Sequence, residues 1–76
     1  MGQFRVLRPS EVLRALQRAG FIVDRTSGSH VVLKKFDTAG TKTAVIPQHN
    51  RDLKRGTFHN ILRQAGMSEE ELFRYL

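Results

Sequence analysis

The chain has no cysteine. Disulfide staples, thiolate zinc ligands and thiol catalysis are therefore excluded together. Acidic residues are scarce: 7 Asp plus Glu stand against 13 Lys plus Arg, leaving a formal charge of +6 and a pI near 10.9. Aromatic residues are few, five Phe and one Tyr with no Trp, and they are not interleaved with cations as a base-stacking platform requires. No apolar run approaches the roughly 20 residues needed to span a bilayer. The opening MGQFRVLRPS lacks the apolar stretch of a secretory signal, so a cytoplasmic location is expected. No Gly-rich nucleotide loop, Ser/His/Asp set or paired carboxylates stand out, and no internal repeat, low-complexity segment or linker is visible. With 76 residues and 39% hydrophobic content, residues 1–76 read as a single small domain with a modest core.

What the chain does have is cationic charge spread along its whole length, from Arg5 to Arg74. Nine of the 13 cations are arginine, whose planar fork matches phosphate in a way that ammonium does not. The even spread differs from the blocks of a disordered basic tail. A folded domain of this charge is suited to nucleic acid or to an acidic protein partner.

Hydrophobic spacing sets the element order. Ser10 reads as an N-cap and Gly20 as the residue just past a helix that places Val12, Leu13, Leu16 and Ala19 on one face. Residues 21–26, 30–36 and 41–46 are rich in β-formers and are separated by turn-forming stretches, which predicts a three-stranded antiparallel meander. Gly56-Thr57 offers a cap for a second helix carrying Phe58, Ile61, Leu62 and Ala65 at helical spacing, closed by Gly66. Ser68 and Glu71 form a capping box that opens a short last helix, expected to run through Leu76. Phe21, Phe58 and Phe73 read as core. The expected class is α+β, in the order α-β-β-β-α-α, with helices on one face of the sheet and the other face free for a ligand.

Three histidines could do chemistry near neutrality, because an unperturbed imidazole titrates near pH 6.5. His30 follows the Gly28-Ser29 turn, where backbone amides can approach a ligand. Strand alternation places His30, Val32 and Lys34 on one face and Val31 and Leu33 on the other. If Val31 and Leu33 enter the core, His30 and Lys34 lie about 13 Å apart on the open face, roughly two phosphate spacings. The alternative is a histidine that only hydrogen-bonds locally. His49 is either a second acid/base group or a loop anchor. His59 shares a helix face with Arg55 and Arg63, four residues away on either side, and is either solvated or a phosphate contact. No Asp or Glu sits at metal-ligand spacing from any histidine, and neither metal nor cofactor is expected; a two-histidine site from His30 and His49 has nothing else to complete it.

Three segments resemble one family. Gly28-Ser29-His30 is similar to the G-S-H signature of HicA toxins, also called the YcfA-like family, and Val45-Ile46-Pro47-Gln48-His49 to their V-x-P-x-H segment. The run from Leu53 to Ser68, with Lys54, Gly56-Thr57, Ile61-Leu62 and Gln64-Ala65-Gly66, resembles their L-K-x-G-T-L-x-x-I-L-x-Q-A-G-L-S block. The likeness spans nearly the whole chain. It implies a fold like the double-stranded RNA-binding domain and ribosome-independent cleavage of mRNA. It also implies inhibition by a HicB antitoxin and a catalytic role for His30. Gly28, Ser29, Lys34, Lys35, Lys54 and Arg55 are the expected RNA contacts, with His49 and His59 as secondary candidates. His59 and Phe58 depart from the family's usual basic residue and leucine, and Met67 also replaces a leucine. Two other classes are compatible with the composition: a non-catalytic double-stranded RNA-binding module, and a protein-interaction domain with a basic face.

Overall fold

The computed structural model describes residues 6–76. Residues 1–5, which include Arg5 and the start of the MGQFRVLRPS segment, lie outside the described residues. The order is α1 (Pro9–Arg18), β1 (Ile22–Ser27), β2 (His30–Asp37), β3 (Gly40–Pro47), α2 (Arg55–Ala65) and α3 (Glu69–Phe73). This is the expected α+β, double-stranded-RNA-binding-domain-like arrangement, with one antiparallel sheet in the order β1-β2-β3.

Helix α1 begins earlier than the Ser10 cap would place it. Pro9 occupies the first helical position, where its fixed φ is already helical and no amide is needed. Arg8 is therefore the N-cap, and its backbone N–H donates to the Glu11 carboxylate at 2.9 Å. Val12, Ala15 and Leu16 turn inward. At the far end Gly20 adopts φ 105°. The Phe21 and Gly20 amides bond back to the Leu16 and Gln17 carbonyls at 2.9 and 3.1 Å, a Schellman closure that turns the chain into β1.

Register decides what the sheet presents to each side. Val31 lies opposite Ile46 and Leu33 opposite Ala44, and all four are buried beneath the helices. His30, Val32, Lys34 and Phe36 therefore point to the open face. That face is not uniformly wet: Val32 is only 7% exposed, flanked in register by Arg25 and Val45. The β1–β2 register breaks between Val23 and Arg25, a bulge centred on Asp24.

Helix α2 likewise starts before its expected cap. Lys54 is the N-cap, the Phe58 amide already bonds to the Lys54 carbonyl at 2.9 Å, and Gly56-Thr57 lie inside the first turn. The Leu53 amide bonds to the Leu7 carbonyl at 2.8 Å, which fixes the approach of the chain and sets the helix start. Phe58, Ile61, Leu62 and Ala65 enter the core. The Ser68–Glu71 capping box forms as expected, with Glu71 N–H donating to Ser68 Oγ at 3.1 Å and Ser68 N–H to Glu71 Oε1 at 2.9 Å. Accepting that backbone hydrogen bond is the main reason the Glu71 carboxyl is held below its ordinary range. Helix α3 stops at Phe73 instead of Leu76. Beyond it the Arg74, Tyr75 and Leu76 amides reach carbonyls three residues back, a tighter winding that ends the α-helix. Phe21 and Phe58 are buried, and Phe73 is partly buried and stacked on Phe58 at 6.3 Å.

Candidate active site

Helix α2 packs along the outer edge of β3 by its buried apolar face, and one side-chain hydrogen bond ties the two together. The outward-facing Val45 amide, which an edge strand would leave unpaired, donates to Gln64 Oε1 at 3.0 Å. Between strand and helix lies an open groove of about 610 Å³. Val45 and Pro47 form its strand wall, Thr57, Asn60 and Gln64 its helix wall, and the β3–α2 loop closes one end with His49, Arg51 and Lys54. His30 lines the same groove.

His30 comes there through pairing. It is the first residue of β2 and lies opposite Pro47, the last residue of β3. Gly28, at φ 58°, makes the tight β1–β2 turn. The Ser29 carbonyl then accepts the Gln48 amide, so the turn before His30 is joined to the loop before His49 by a backbone hydrogen bond. The His30 ring is exposed, with Ser29 Oγ at 3.5 Å from Nδ1, the outer limit of a hydrogen bond. His49 is held more firmly, its Nδ1 accepting the Arg51 backbone N–H at 3.2 Å.

The cations around this groove differ from those elsewhere. Arg51 and Lys54 are exposed and have no acidic partner among the described residues. Asp52, on the same wall, lies 3.8 Å from Arg8. Lys34 is on the His30 face as alternation requires, with its Nζ 3.8 Å from Asp24. Lys35 has the opposite parity. It lies against Gly20 on the helix side, with Nζ 5.9 Å from the Phe21 ring centroid, and does not share a surface with His30. Arg55 and His59 also fall outside the groove: both bond to Glu69 of α3, at 3.1 and 2.7 Å.

The structure thus gathers His30, His49, Lys54 and the Gly28-Ser29 turn at one place, and sets Lys35, Arg55 and His59 elsewhere. Arg51, Thr57, Asn60 and Gln64 also line the groove. None is among the RNA contacts expected above, although Thr57 and Gln64 fall in the family-like block and Arg51 opens the cationic run that enters the second helix. Among the described residues no three His, Asp or Glu side chains form a group that could hold a metal ion.

The family model for the HicA toxin of bacterial toxin–antitoxin systems matches residues 9–67. The chain belongs to the HicA toxin family. The match begins at α1, takes in the whole sheet and α2, and ends before α3, so it contains every wall of the groove. Membership implies an antitoxin partner for this HicA-family chain. A comparison with curated proteins returns no match. No described helix is long and apolar enough to cross a membrane.

Proposed function

We propose that this chain cleaves messenger RNA in the groove between β3 and α2, with His30 as general base and without a metal, and that a HicB-type antitoxin silences it by covering His30. The observation that carries this reading is the company His30 keeps: an exposed imidazole in a groove whose nearby cations, Arg51 and Lys54, are not neutralised by carboxylates. RNA phosphates would lie against those cations and against the first amides of α2, whose N-cap makes no side-chain hydrogen bond. Lys34 would extend the phosphate track along the open face.

In this reaction His30 removes the proton from a ribose 2′-OH. The 2′-oxygen bonds to the adjacent phosphorus while the bond from phosphorus to the 5′-oxygen breaks. The 5′-oxygen leaves with a proton taken from water in the open groove, and the imidazolium returns its own proton to solvent. The products are a 2′,3′-cyclic phosphate and a 5′-hydroxyl. General-base catalysis contributes about 10²–10⁴-fold, and fixed cations stabilise the charge that builds on the phosphorane.

The test is inducible expression of the wild type and of His30→Ala, following growth and the integrity of a reporter mRNA. Arrest with cleavage in the wild type alone is the expected result. Equal harmlessness of both, with retained affinity for structured RNA, would instead favour a binding module of the same fold.

A further inference from the structure

His49 lies in the same groove as His30, and two histidines in a ribonuclease groove suggest a base paired with an acid. The hydrogen bonding of His49 argues for a different division of labour. Its Nδ1 is 3.2 Å from the Arg51 backbone nitrogen. A backbone amide can only donate, so Nδ1 must present its lone pair, and the ring proton sits on Nε2. An imidazolium would carry N–H groups at both nitrogens and could not accept from Arg51.

The loop that fixes this arrangement is anchored at both ends. The Gln48 amide is bonded to the Ser29 carbonyl beside His30, and the Leu53 amide to the Leu7 carbonyl ahead of α1. The charged and titratable groups around His49 in the groove are His30, Arg51, Asp52 and Lys54. On its other side the loop borders a smaller cleft with Pro9, Ser10 and Leu13 of α1, none of them charged.

We infer that His49 acts as an electrically neutral Nε2–H donor to a non-bridging oxygen of the scissile phosphate, holding that phosphate over His30, and is not the general acid. This rests on the proposed ribonuclease reading. No proton leaves His49 in the step: the bonds made and broken are those already given, with water supplying the proton to the 5′-oxygen. The arrangement resembles an oxyanion-hole donor, whose removal typically costs about 10²–10³-fold in turnover.

Two measurements test this on the purified chain. The first is independent of activity: a long-range proton–nitrogen correlation spectrum of the His49 ring near neutral pH. The expected pattern is Nε2 protonated and Nδ1 bare; an Nδ1–H tautomer or a doubly protonated ring overturns the inference. The second is single-turnover cleavage of a single-stranded RNA against pH by the wild type, His30→Ala, His49→Ala and His49→Gln.

A neutral donor predicts a rate that rises through one ionisation to a plateau. His49→Ala should fall by about 10²–10³-fold, while His49→Gln, which restores an N–H donor, stays within about tenfold of the wild type. A bell-shaped profile whose descending limb vanishes in His49→Gln assigns His49 as the acid and overturns the inference. So does a folded His49→Ala that cleaves as well as the wild type. Loss of cleavage in His30→Ala with no change in His49→Ala sinks this inference alone, whereas a wild type that cleaves no RNA removes the ribonuclease reading beneath it.

Discussion

If the groove binds RNA through Arg51 and Lys54, removing those two charges should cost more than removing two charges elsewhere. Both are exposed, line the groove and lack an acidic partner among the described residues. Each phosphate contact on a single strand contributes about −0.7 to the slope of log affinity against log salt. Arg51→Gln with Lys54→Gln should therefore flatten that slope by about 1.4. Over a fourfold change in salt this is about a sevenfold difference in how far affinity falls. The control removes the same charge from a different surface: Lys42→Gln with Arg74→Gln. Those residues line a separate small cleft beside Gly66 and Glu71. Both pairs belong in the His30→Ala background, so that the RNA survives titration, with fluorescence anisotropy of a labelled oligonucleotide as the assay. Equal loss from the two pairs would mean that total charge, not the groove, sets affinity, and would refute the reasoning.

Glu69→Gln removes the shared carboxylate partner of Arg55 and His59. Exposed pairs of this kind contribute up to about 1 kcal/mol, so denaturant unfolding should shift slightly while RNA cleavage is unchanged; loss of cleavage would bring Arg55 or His59 back into the site. Ser68→Ala deletes the cap of α3 and should cost about 1 kcal/mol in denaturant titrations. The Glu71 carboxyl is lowered in the folded chain, so its contribution is fully present above the ordinary carboxylate value of 4.5 and is lost as pH falls below it. Wild-type stability should consequently drop on acidification, and Ser68→Ala should show less of that drop; identical acid profiles would contradict the assignment.

How much of this was legible in the sequence depends on the range of the interaction involved. Alternation along β2 is local, and it put Val31 and Leu33 in the core and His30 and Lys34 on the open face, as found. The same alternation turns Lys35 to the side opposite Lys34, against Gly20 and the Phe21 ring and away from His30. The Ser68–Glu71 box is a four-residue signal and was readable. The helix starts were not, because Pro9 and the Leu53–Leu7 hydrogen bond set them one or more residues before the capping side chains that the eye picks out. The groove is the least legible feature. It exists because α2, seated by its buried apolar face, runs along the edge of β3, where Gln64 and Val45 bond from 19 positions apart. No periodicity within either element encodes that meeting. His59, which shares a helix face with Arg55 and Arg63 in the sequence, lies outside the groove and bonds to Glu69 of α3, a contact that helix spacing does not encode.

The central claim is that His30 activates a ribose hydroxyl, and its products report on it most directly. Purified chain should be incubated with a short RNA and with the same RNA carrying a 2′-deoxy sugar at the cleaved nucleotide, and the fragments weighed by mass spectrometry. The account predicts a 2′,3′-cyclic phosphate and a 5′-hydroxyl from the RNA, and no cut at the deoxy position. Fragments ending in a 5′-phosphate, or cleavage at the deoxy position, would contradict it.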